Sequence, residues 1–164
     1  MNKDVEATLK SIETENYFDR LFYRPIGYKI ANAIKNTGIT PNVVTIISIF
    51  IGISAGICWY FPHDIILALL GILALVIANI LDCVDGQLAR MTGIKSQVGR
   101  ILDGFAGDLW FLMIYIAFAH RLTTQYSVPF EPWIYILIVF ISAFSHWNQA
   151  SITDYYKTLH LLFI

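Results

Sequence analysis

Two cysteines in 164 residues leave no room for a disulfide framework or a four-thiolate zinc site, and Cys58 and Cys83 both lie in apolar surroundings that suit small core residues. Charge is equally scarce. Asp, Glu, Lys and Arg make up 14% of the chain against 57% hydrophobic residues, with a mean hydropathy of +0.61, which excludes an ordinary soluble domain. The formal net charge of −1 says little, because the positive residues are grouped while the acidic ones divide between a polar lead and apolar segments. No apolar run lies near Met1, so nothing resembles a cleaved signal peptide and the mature chain is expected to keep its N-terminus.

What the chain has instead is long apolar segments, which place it in a bilayer as an all-α, polytopic transmembrane helical bundle. Residues 1–16 form a polar lead of mixed charge, suited to a solvated helix or a disordered tail and carrying no chemistry. Over 17–38, Phe18, Phe22, Ile26, Ile30 and Ala33 recur at helical spacing while Arg20, Arg24, Lys29 and Lys35 fill other faces. That pattern reads as an N-terminal amphipathic helix lying in the interface against anionic headgroups, divided at Pro25. A cytosolic helix packed on a partner is the alternative. Residues 39–164 form the membrane domain.

Four spans are expected there. Thr40-Pro41-Asn42 is a helix-start signal, and the first span follows over about 43–61, with Ser48, Gly52 and Gly56 every fourth residue for close helix packing. The second begins near Ile65. From there to Leu81 a helix rises about 25 Å, slightly less than a hydrocarbon core of about 30 Å, so Asp82 and Asp85 lie near the far interface. The third covers about 98–119. The fourth starts at Pro132-Trp133 and outruns ordinary membrane thickness, its second half carrying Ser142, Ser145, His146, Gln149 and Thr153 as a polar stripe. The chain stops on Leu161-Leu162-Phe163-Ile164 without a cap or polar tail, and a truncated C-terminus is expected. Ten of the eleven Lys and Arg residues fall on the N-terminal side of this topology and only Arg121 on the other, which puts the N-terminus and the acidic cluster in the cytoplasm.

Ionisable residues in apolar segments are costly and mark function. Asp82 and Asp85 are three apart on one helical face, and Gly86 and Ala89 make a smooth strip beside them. Gly99 and Asp103 repeat the arrangement on the third span, after a short turn bearing Arg90, Lys95 and Arg100. Helices joined so closely should face each other. Their carboxylates would repel unless neutralised, and a hard divalent cation, Mg2+ or Mn2+, is the economical solution. Carboxylates with metal, small residues that admit a flat group, and nearby arginines suit a nucleoside diphosphate.

The run D-x-x-D-G-x-x-A-R, eight residues, then G-x-x-x-D, resembles the signature of the CDP-alcohol phosphotransferases, integral membrane enzymes of phospholipid synthesis. Asp82, Asp85, Gly86, Ala89, Arg90, Gly99 and Asp103 match it at every required spacing. Thr40, Pro41, Asn42 and Thr45 are similar to a weaker pattern at the family's first span. The resemblance implies transfer of a substituted phosphate group from a CDP-alcohol, such as CDP-diacylglycerol, to an acceptor alcohol with release of CMP. It implies metal at Asp82, Asp85 and Asp103 and nucleotide contacts at Gly86, Ala89, Arg90 and Gly99. The implied partners are the CDP-alcohol donor, the alcohol acceptor and membrane lipids; no nucleic acid is expected, and a homodimer is left open. The family usually has six spans.

One position departs from the family pattern. A fourth aspartate, proposed in the family to deprotonate the acceptor hydroxyl, usually stands four residues after the third, where this chain has Gly107; the carboxylate comes one later, at Asp108. On a regular helix position 107 lies about 40° around the axis from Asp103 and Asp108 about 140°. A one-residue π-bulge at the Gly104 to Gly107 stretch would return Asp108 to the cluster as a fourth metal ligand and catalytic base. Otherwise Asp108 is structural. His146 is the substitute base by type and depth, set against a packing role, and Arg100 and His146 are candidates for phosphate or acceptor contact. Two other functions compete: an intramembrane prenyltransferase, whose aspartate motifs would normally sit on well-separated spans, and a non-catalytic membrane subunit retaining the metal or nucleotide site.

Overall fold

In a computed structural model of the protein, the residues described are 5, 7–8, 16–61, 64–94, 96–124 and 131–163. Most of the polar lead, Pro62, His63, Lys95, residues 125–130 and Ile164 lie outside them. Among the described residues there is no strand, and the chain is all-α as expected. A π-helical turn, Asp19–Tyr23, leads into α1 (Arg24–Ile34); α2 (Pro41–Tyr60), α3 (Ile65–Thr92), α4 (Gln97–Thr124) and α5 (Pro132–Phe163) follow.

The expected division of the interfacial helix at Pro25 takes a milder form. Proline has no N–H to donate, and the turn ahead of it widens so that the Arg24 N–H reaches back five residues to the Asp19 carbonyl. The helix is not broken, and Pro25 sits in the first turn of α1.

Among the described residues three helices, α2, α3 and α4, are long and apolar enough to cross a membrane, against four expected. The difference lies in α5. Its first half is apolar, but Ser142, Ser145, His146, Asn148 and Gln149 follow too closely for a full membrane thickness of apolar residues. The apolar surface of the three spans, such as Ile65, Ile66 and Leu69 on α3, is exposed, as lipid-facing residues are when every backbone group is satisfied inside its helix.

The chain divides into two compact units, one of Met1–Gly52 with Ala74–Gly107, the other of Ile53–Leu73 with Asp108–Ile164. In the first, Ala31 of α1, Val44 of α2 and Val84 and Leu88 of α3 form a buried cluster on which Ile30, Ile34, Ile80, Leu81 and Met91 pack. Gly27 brings α1 very close to α3: a Cβ there would lie 2.6 Å from Gln87 Oε1 and 3.1 Å from Cys83 Cβ. Ser48 and Gly52 are buried in this unit, in keeping with their packing role. In the second unit Trp59 donates to the Ala68 carbonyl (3.0 Å) and stacks on Phe118, and Tyr60 stacks on His120 at 4.0 Å.

Candidate metal and nucleotide site

The site is built where α3 ends and α4 begins, within the first unit. Thr92 closes α3, and Gly93 follows at φ +71°, the left-handed conformation that ends helices and that only glycine adopts without cost. The chain reverses and Ser96 starts α4, its Oγ accepting the Gly99 N–H at 2.8 Å as an N-cap. This tight reversal is why Asp103, on the second turn of α4, comes back to Asp82 and Asp85 near the end of α3. One carboxylate oxygen from each of the three lies within 4.8 Å of the other two.

Each carboxylate has a different setting. Asp85 is buried (3% exposed), Asp82 is half-buried and Asp103 is exposed. The Thr45 hydroxyl on α2 donates to Asp85 Oδ2 at 2.5 Å and lies 3.1 Å from the Pro41 carbonyl. A hydroxyl has one proton, and the carboxylate is the stronger acceptor. Asp85 therefore keeps one oxygen on Thr45 and has lone pairs left for another ligand. Three anionic oxygens so close repel each other, and a set of oxygen donors around a small gap fits a hard divalent cation.

Beside the carboxylates is a cavity of about 170 Å³. Gly86, Ala89 and Gly99 give it smooth walls, Asp85 and Asp103 border it, and Arg100 supplies a cation. Asn42, Thr45 and Ser96 complete the polar lining. Gly99 has a second reason to be glycine. A Cβ there would run into Asn42 Oδ1 and come within 2.9 Å of Ser96 Oγ, so the glycine lets the start of α4 approach the start of α2. Asn42 and Ser96 are joined at 3.4 Å across that approach.

Six of the residues singled out in the sequence, Asp85, Gly86, Ala89, Gly99, Arg100 and Asp103, thus meet at one cavity, with Asp82 joining through the carboxylate cluster. Arg90 is held differently: its Nε donates to the Thr8 carbonyl. Asp108 is not among the converging carboxylates. The expected π-bulge is absent, since Gln97–Thr124 is α-helical throughout, and helix geometry turns Asp108 about 140° from Asp103. Beside Gly104 and Gly107 there is open space: beyond the adjoining residues and the helix's own backbone, an added Cβ would meet nothing within 4 Å. His146 lies in the second unit, edge-on to Phe111 at 4.3 Å and near Tyr115, beside a cavity of about 630 Å³ lined also by Ser142, Ser145 and Gln149. Its aromatic contacts suit the packing role.

Asn42, Thr45 and Ser96 join the site without a chemical role that the sequence alone announces. The signal for the first two was T-P-N-x-x-T, which sets Thr45 one turn into α2; for Ser96 it was a serine three residues before Gly99 at a helix start.

A sequence model of the CDP-alcohol phosphatidyltransferase family matches residues 38–158. The chain is 36% identical over 75 residues to an archaetidylinositol phosphate synthase of Pyrococcus horikoshii, covering 46% of this chain and 38% of that protein. It is 27% identical over 82 residues to an uncharacterized protein of Aquifex aeolicus, covering 50% and 40%. The matched stretches are thus about two-fifths of the length of these curated relatives. The family model takes in α2, the whole acidic hairpin and most of α5, well over half of the sequence. The chain belongs to the CDP-alcohol phosphatidyltransferase family.

Proposed function

We propose that this chain transfers a substituted phosphate group from a CDP-alcohol to an acceptor alcohol in phospholipid synthesis, with the site facing the cytoplasm. The observation that carries the reading is the convergence of Asp82, Asp85 and Asp103 at a small-residue cavity. A divalent cation, Mg2+ or Mn2+, held by these carboxylates would neutralise the diphosphate and the departing CMP. Gly86, Ala89 and Gly99 give the cytidine room, and Arg90 and Arg100 carry charge for phosphate contact. The acceptor oxygen attacks the phosphorus bearing the donor alcohol; a P–O bond forms there, the bond to the bridging oxygen breaks, and CMP leaves with that oxygen. Asp108 takes the hydroxyl proton. For Asp108 to serve, α4 has to rewind by one residue from the regular helix of Gln97–Thr124, a distortion whose cost the glycines at 104 and 107 lower. The cytoplasmic orientation rests on the ten-to-one distribution of Lys and Arg.

The test is CMP release by purified protein from CDP-diacylglycerol and other CDP-alcohols, against a panel of acceptors headed by inositol phosphate, which the name of the Pyrococcus relative suggests. Release that needs donor, acceptor and divalent cation together is the expected result. Divalent-cation binding without CMP release from any donor would favour the non-catalytic subunit, and pyrophosphate release from a prenyl donor the prenyltransferase.

Thr45 offers a finer check. Its hydroxyl orients Asp85 without lying in the carboxylate cluster, and outer partners of this kind change metal affinity by about 10- to 100-fold. Thr45→Val is expected to weaken Mn2+ binding by about that factor, and Thr45→Ser to retain it, as read by Mn2+ titration.

A further inference from the structure

On its far side from the cavity, α3 is hydrogen-bonded to the N-terminal segment. Gln87, two residues after Asp85, is fully buried. Its Nε2 donates to Thr8 Oγ1 and to the Arg24 carbonyl, both at 3.1 Å, so one side chain joins the N-terminal segment, α1 and α3. Thr8 is itself buried, and its hydroxyl and N–H both bond the Val5 carbonyl, at 2.7 and 3.0 Å, closing a turn. The carbonyl of Thr8 then accepts from Arg90 Nε. Held at Nε, the guanidinium lies along Gly86: a Cβ there would be 3.3 Å from Arg90 Nη2 and 3.5 Å from Nη1. Gly86 is also a wall of the nucleotide cavity.

We propose that the turn closed by Val5 and Thr8 is part of the nucleotide site, and that Thr8 is a positioning residue that fixes Arg90 at the Gly86 wall for the diphosphate. This rests on the reading that the cavity takes a CDP group. The physical reason is preorganisation. A free arginine side chain samples many rotamers, which a diphosphate would have to restrict on binding; a guanidinium already held at Nε loses less. Thr8 acts on Arg90 through its carbonyl, and its hydroxyl sets that carbonyl by closing the turn and accepting from Gln87. The N-terminal segment, which precedes the family match, thereby acquires a role in nucleotide affinity.

The experiment is CDP binding to the purified full chain in saturating Mg2+, by calorimetry, for the wild type, Thr8→Val, Thr8→Ser, Arg90→Lys and the double variant Thr8→Val/Arg90→Lys. Thr8→Val removes the hydroxyl, and the loss of one positioning hydrogen bond should weaken CDP about 3- to 10-fold with Mn2+ affinity unchanged. Thr8→Ser keeps the hydroxyl and should bind as the wild type. In the Arg90→Lys background Thr8→Val should add little, because the group it positions is gone. Unchanged or tighter CDP binding in Thr8→Val overturns the proposal, as does an equal loss with and without Arg90. A wild type that binds no CDP overturns the nucleotide reading itself, and this inference with it.

Discussion

Asp85→Asn is expected to reduce CMP release by about a thousandfold or more while the protein still folds. Asp85 is the most buried of the three converging carboxylates, borders the cavity and is oriented by Thr45. Asparagine has nearly the same shape and its amide oxygen can still accept from Thr45, so packing is preserved. What is lost is one negative charge and the better of two ligand oxygens. A metal contribution of several kcal/mol to the transition state corresponds to about three powers of ten at ~1.4 kcal/mol for each. Asp82→Asn and Asp103→Asn should act in the same direction. Stability should move the other way in metal-free protein: removing one of three mutually repelling carboxylates, this one buried, relieves a cost that only a cation otherwise offsets. Thermal unfolding in EDTA should therefore show Asp85→Asn at or above the wild type, even as its activity disappears.

Asp108→Asn is expected to lower turnover by about 10²- to 10⁴-fold, the usual worth of a positioned general base, with Mg2+-dependent CDP binding intact. This separates it from Asp85→Asn, which is expected to weaken that binding as well because it removes a ligand carboxylate. The regular path of α4 makes a sharper comparison available. Position 107 lies about 40° from Asp103 on such a helix, and Gly107 has open space beside it. Adding Gly107→Asp to Asp108→Asn puts a carboxylate at that position, where the added Cβ meets no neighbouring group. Partial recovery of turnover is expected in that double variant, measured as single-turnover CMP release. Full activity in Asp108→Asn alone would remove Asp108 from the mechanism.

The parts of this protein legible in the sequence are those fixed by short-range rules. Asp82, Asp85, Gly99 and Asp103 could be placed together because helical spacing is local and a short turn between two helices forces them to face each other. Pro41 and the carboxylate spacing marked their helices for the same reason. The fourth expected span is the one whose composition falls short: the apolar run opening α5 is diluted by Ser142, Ser145 and His146 before it reaches full membrane thickness. The π turn was expected beside Asp108 and occurs before Pro25, because a missing N–H distorts a helix more reliably than permissive glycines do. The bonds from Thr8 to Gln87 and Arg90 join residues some eighty positions apart, and no periodicity or cap signal announces such a contact. The same is true of Asn42 against Ser96.

The most direct measurement of the central claim is Mn2+ binding followed by electron paramagnetic resonance, with and without CDP, in the wild type and in a variant carrying Asp82→Asn, Asp85→Asn and Asp103→Asn together. The account predicts saturable Mn2+ binding that tightens when CDP is added, and loss of both effects in the triple variant. Equal Mn2+ binding by the two proteins, or Mn2+ binding in the wild type that CDP leaves unchanged, would contradict it.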